Sequence, residues 1–115
     1  MAKPFTKVDL TSTAVNVKTT GGSVKAVNAS NPNAALSYLQ FFNALAANVT
    51  VGTTAPFWIM SLGATNTANF MGPFGSDPAD GDGIEHATAI SVAATTTPSG
   101  NGAPGTAIPV SVIYE

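Results

Sequence analysis

His86 is the single histidine of the chain, and it follows Glu85 directly. Consecutive strand residues point to opposite faces, so this imidazole and carboxylate cannot serve one substrate from one strand. Acid–base work by His86 would need a partner from elsewhere in the fold. Hydrolysis by a serine nucleophile needs a Gly-x-Ser-x-Gly turn, and Ser23 and Ser76, which follow glycines, lack that setting. Asp77, Asp80, Asp82 and Glu85 bring four of the six acidic residues together. Oxygen-rich loops with glycine build calcium sites, but this spacing departs from the helix-loop-helix pattern. The run reads as a solvated loop that carries the net charge of −2. With no cysteine, disulfides, thiolate nucleophiles and thiolate metal sites are excluded. The expectation is no catalytic residue, no metal site and no cofactor.

The elements around these residues belong to one domain, since 115 residues suffice for one core and not for two. Hydrophobic residues make up 44% and charged residues 9%, against about 25% charged in ordinary soluble domains. A surface so poor in charge implies cover by a partner. Four lysines and no arginine cannot supply a row of phosphate contacts or a bidentate guanine reader, which excludes nucleic acid as the partner. The start, Met1-Ala2-Lys3-Pro4-Phe5-Thr6-Lys7, lacks the apolar stretch of a secretory signal, and no segment approaches the roughly 18 apolar residues of a membrane span. No membrane partner is expected, and synthesis in the cytoplasm is.

Abundant Val, Ile and Thr, interrupted by Gly and Pro clusters, predict an all-β chain: a single β-sandwich or jelly-roll-like domain of about six to eight short strands, with long loops and little helix. Residues 1–12 read as an N-terminal arm and 13–115 as the sandwich. The arm, with Pro4 and Phe5, either reaches onto a neighbour or frays. Val15 and Val17, then Gly21-Gly22, then Ser23 to Val27 predict a hairpin. Leu36 to Phe42 and Phe57 to Leu62 are apolar at both parities, so each strand is covered on both sides, with another subunit as the source of the second cover. Asn43 to Asn48 predicts a helical turn, and Val49-Thr50-Val51 a short strand ended by Gly52. Phe70 to Gly83 reads as one long surface loop with apolar anchors. Ile90 with Val92, and Ile108 to Tyr114, alternate as strands. Leu39, Phe41, Trp58, Phe70, Met71 and Phe74 join Pro4 and Phe5 as candidates for a partner interface. A sugar-stacking role for the aromatics, and with it a carbohydrate-binding module, is the weaker alternative.

Asn31-Pro32-Asn33-Ala34, the aromatic pair Phe41-Phe42 followed by Asn43, Val49-Thr50-Val51-Gly52-Thr53-Thr54-Ala55-Pro56 and Ile90-Ser91-Val92-Ala93-Ala94-Thr95-Thr96 occur in this order. In this the chain resembles a family of small all-β virion proteins of tailed phages. The resemblance runs from about Val17 to Tyr114. It implies a capsid decoration, or cement, protein that binds the major capsid protein on the outer surface of the virion head as a homo-oligomer, a trimer, and that carries no catalytic residues. The acidic stretch from Phe74 to Glu85 departs from the family pattern. A tail or fibre component, such as a receptor-binding or adhesion module, would draw on the same sandwich and remains the alternative.

Overall fold

The computed structural model describes residues 2–71 and 83–115, with the backbone alone for 66–71. Among them are nine strands: β1 (Lys3–Leu10), β2 (Val15–Lys18), β3 (Gly22–Asn31), β4 (Ser37–Phe42), β5 (Trp58–Leu62), β6 (Asn66–Met71), β7 (Ile84–His86), β8 (Ile90–Thr95) and β9 (Ile108–Tyr114). All pairings are antiparallel. Sheet A runs β1-β9-β3-β6, with β7 also on β3, and sheet B runs β2-β8-β4-β5. The chain is the expected all-β sandwich. It has one strand more than the expected range, and two of the nine, β6 and β7, pair with β3 on either side of the stretch read as a long loop, β6 overlapping that stretch at Phe70 and Met71.

Alternation along the strands turns one face of each sheet inward. Val24, Val27 and Ala29 of β3 and Ile108, Val110 and Val112 of β9 share one core with Leu39, Phe41, Met60, Leu62, Ile90, Val92 and Ala94 of sheet B. Burying each large side chain contributes about 1.5–3 kcal/mol. Val24 and Val27 have opposite parity, yet both are fully buried in this core. The register of β3 against β9 shifts between Val24 and Ala26, and the added residue reverses the alternation.

Four sequence expectations are corrected by this arrangement. Residues 3–10 are no free arm: they form β1, paired with β9 from Lys3↔Tyr114 to Leu10↔Ile108. Val15–Lys18 and the strand after Gly21-Gly22 make no hairpin, because β2 joins β8 in sheet B while β3 lies in sheet A. The glycines serve close approach instead. A Cβ on Gly21 would sit 2.6 Å from the Ala87 carbonyl oxygen, and one on Gly22 would collide with that of Glu115. Val49-Thr50-Val51 is not a strand. Thr53 N and Thr54 N both donate to Thr50 O, Thr50 N donates to Thr54 Oγ1, and Gly52 takes φ +93°, closing a turn. Phe70 and Met71 lie in β6, opposite Asn28 and Val27, and not in a loop. The predicted helical turn is there, as a single 3-10 turn at Ala46–Asn48.

Asn31, fully buried at the end of β3, ties the sheets together. Its Nδ2 donates to Ala35 O at 3.0 Å, Gly63 O at 3.1 Å and Leu62 O at 3.3 Å. Its Oδ1 accepts from Asn33 N and Asn33 Nδ2, both at 3.0 Å, and from Ser37 Oγ at 3.4 Å. Asn33 reaches onward: Thr106 N donates to its Oδ1 at 2.7 Å, and its Nδ2 donates to Thr106 O at 2.9 Å. Asn31→Ala should destabilise the fold by about 2–4 kcal/mol, since each buried group left unpaired costs about 1–3 kcal/mol. Chemical denaturation reads this as a lower midpoint with an unchanged slope.

Candidate functional site

The outer face of sheet B is divided between a half that the chain covers itself and a half that it leaves exposed. Every residue of β8 is buried, the outward-facing Ser91, Ala93 and Thr95 included. One cover is the segment after β4. Ser91 Oγ donates to Ala44 O at 2.8 Å, Thr88 N donates to Asn43 Oδ1 at 2.8 Å, and Ala46 N donates to Asn16 Oδ1 at 2.8 Å. The other is the turn after β8. Gln40 Nε2 donates to Thr95 Oγ1 at 2.8 Å and to the carbonyls of Gly100 at 3.0 Å and Thr97 at 3.3 Å. Thr95 Oγ1 passes its own hydrogen to Thr97 O at 2.7 Å. Gln40 and Phe42 are thereby buried on the outward face of β4. The second cover expected from another subunit is supplied here by the chain's own loops.

Towards β5 the cover ends. Ile59, opposite Gln40, is 40% exposed, and Phe57, just before the strand, is 51% exposed. Ser61 is exposed and its partner Tyr38 half-buried. Leu36, of the same parity as Tyr38, is 46% exposed. Three of the four large exposed hydrophobics among the described residues therefore line the β4–β5 side, and Val8 on β1 is the fourth. The strands that form it, β4 and β5, carry no charged residue. No Asp, Glu, Lys, Arg or His occurs between Lys25 and Asp77, and the one charged residue in the strands of sheet B is Lys18 on β2.

His86 lies at the side of the sandwich between the two sheets. It sits on β7 opposite Gly22 and is buried. Its Nδ1 is 3.0 Å from Ile84 O, a bond that requires the proton on Nδ1, and Nε2 then accepts from Trp58 Nε1 at 3.3 Å. Both ring nitrogens are engaged, in a neutral tautomer, and the Phe57 ring meets the imidazole edge-on at 5.0 Å. Burial pushes the His86 pKa below its usual value, opposed by the bond to Ile84 O and by the charge of Glu85. Glu85 itself accepts from Ser23 Oγ at 2.8 Å. Serine and glutamate are bonded to each other, whereas both imidazole nitrogens are engaged by Ile84 and Trp58, so the three form no relay.

The interface candidates among the described residues are dispersed. Leu39 and Phe41 are fully buried in the core and present no surface, which corrects their assignment. Trp58 stacks on Phe41 with centroids 4.0 Å apart and planes 6° from parallel, half-buried between core and edge. Phe5 packs against the core from β1, and Pro4 is exposed. Phe70 and Met71 have only their backbone described, and Phe74 lies outside the described residues, as do Asp77, Asp80 and Asp82. Among the described residues no group of acidic, histidine or cysteine side chains is placed to hold a metal ion. Sequence reading missed Leu36 and Ile59, although the glutamine inside the apolar run of β4 marks the outward face that loops cover.

No protein-family model, curated protein or solved structure matches the chain.

The lowered pKa of His86 gives a pH dependence of definite sign. Unfolded chain takes up the proton near pH 6.5, while the folded chain does so only at lower pH. The stabilisation is complete above about pH 6.5 and is lost as pH falls through the folded value. Unfolding midpoints should therefore begin to drop as pH falls below about 6.5, above the range in which ordinary carboxylates titrate. The fluorescence of Trp58, the single tryptophan, should change as the folded imidazole takes up its proton at lower pH, and His86→Gln should flatten both profiles.

Proposed function

We propose that the chain is a capsid decoration, or cement, protein: a structural virion protein that binds the major capsid protein on the outer surface of a phage head and stabilises it, as a homo-oligomer. The observation that carries this reading is the apolar strip along β4 and β5, whose strands carry no charge, a surface suited to joining protein chains and so to building the oligomer that docks on the head. The ordered segments shared with small tailed-phage virion proteins supply the class of partner. Two of those segments have structural work in this fold. Asn31-Pro32-Asn33 makes the buried junction between the sheets, and Thr50 to Thr54 makes the turn that leads to Phe57.

The physical role is a bias between two states. A packaged genome pushes outward on its shell. A protein bound across subunit boundaries opposes it to the extent that it prefers joined subunits over separated ones. An oligomer would present several copies of each capsid-facing surface at once, multiplying a weak contact into a firm one.

Purified protein added to heads that lack it should raise their disruption temperature in a saturable way, with bound density on the outer surface by cryo-microscopy. Absence of head density, with density at the tail tip of complete virions, would transfer the chain to the tail or fibre class.

A further inference from the structure

We propose that the exposed strip formed by Leu36, Tyr38, Phe57 and Ile59 is the seat of a second copy of this chain. The inference rests on the homo-oligomeric part of the reading above and names the surface that it uses.

The edges of the sandwich are not treated alike. Exposed sheet edges invite pairing with other chains, and natural proteins blunt them with charges and proline. Edge strand β1 carries Lys3, Pro4, Lys7 and Asp9, with Lys7 Nζ 3.0 Å from Asp9 Oδ1. Edge strand β2 carries Lys18. Edge strand β5, Trp-Ile-Met-Ser-Leu, carries no such guard and turns Ile59 outward. Of the four edges the chain guards those of β1 and β2; β6 also carries no charge or proline, and β5 is the unguarded edge whose outward side chain is seen to be apolar and exposed.

Charge selects the occupant. An acidic or basic partner would find no opposite charge on β4, β5 or the segment that joins them, and burying its own unpaired charge against Ile59 would be unfavourable. A second copy brings the same uncharged strip, so nothing charged is desolvated on either side, and self-complementary patches are what symmetric oligomers use. The loops at Asn43 to Ala46 and Thr96 to Gly102 already cover the β8 half of the face, which confines the contact to the β4–β5 side. A stable interface needs about 800 Å² per partner. A strip of four large side chains supplies only the centre of one, so the association is weak and concentration-dependent.

Sedimentation equilibrium of the full chain, from low-micromolar to near-millimolar concentration, tests this. The mass should rise above the monomer for the natural sequence. Ile59→Asp, at a partly exposed position, should raise the apparent dissociation constant by about tenfold or more, equivalent to about 1.4 kcal/mol, with circular dichroism and melting unchanged. Ser61→Lys, at an exposed polar position, should act in the same direction and stands in if Ile59→Asp fails to fold. Val8→Asp, on the guarded β1 edge, should associate like the natural chain. If the natural chain associates and the β5 variants associate equally well, or if Val8→Asp alone dissociates, the assignment of this strip is overturned while oligomerisation stands. A natural chain that stays monomeric throughout overturns both, and leaves the strip to a partner of another kind.

Discussion

Apolar packing between two sheets is strong but carries little direction, so layers held by it alone can slide. In this sandwich the buried amide of Asn31 opposes sliding. One side chain at the end of a sheet A strand receives Asn33 and Ser37 on its oxygen and reaches the carbonyls of Ala35, Leu62 and Gly63 with its nitrogen. Those residues flank the start of β4 and the end of β5, so sheet B is indexed against sheet A at that corner. The Trp58–His86 bond at the other end of β5 marks a second point of reference. At this second point Trp58 also stacks on Phe41, in near-parallel planes that depend on the register of Phe41 against Trp58. Hydrogen bonds supply the geometry here, and hydrophobic burial supplies the driving force.

The class of fold was legible because alternation along a strand is a local property. Ile90 and Val92, and Ile108 to Val112, show in sequence the faces that they bury in space. What was illegible depends on which strand lies beside which. Gly21-Gly22 looks like a hairpin turn in sequence, yet its glycines make room for the carbonyls of Ala87 and Glu115, which only the folded chain brings near. Val49 to Val51 has the composition of a strand, but a strand needs a neighbour, and the Thr50 turn consumes the local hydrogen bonds first. The site was half visible. Runs apolar at both parities were correctly marked as doubly apolar, but parity cannot say whether the outer layer is the chain's own loop or water. Gln40 and Phe42 received the loop, and Ile59, across from Gln40, did not.

This division of one face has an energetic logic. Covering β8 requires polar loop backbone to lie over apolar side chains, and that is tolerable only where Ser91, Gln40, Asn43 and Asn16 satisfy the loop's groups. Gln40 Oε1 is left without a hydrogen-bond partner among the described residues, the price of aiming both amide hydrogens at carbonyl and hydroxyl acceptors. On β5 the outward residues are Ile59 and Ser61, which offer no comparable set of donors and acceptors to pin a loop. The exposed strip is therefore where the chain's own means of covering itself run out.

The pairing of β1 with β9 sets an order on how the molecule is made. Sheet A has its middle strand, β9, drawn from residues 108–114, with β1 on one side and β3 on the other. As the chain emerges from the ribosome, the first strand has no hydrogen-bonding partner until the last one has been synthesised, and β3 lacks one of its neighbours for the same interval. Contacts that span so much sequence form slowly because the loop must close before they yield any stabilisation. Lys3, Pro4, Lys7 and Asp9 on the waiting strand then acquire a second significance: they keep an unpaired segment soluble during the interval in which it has nothing to bind.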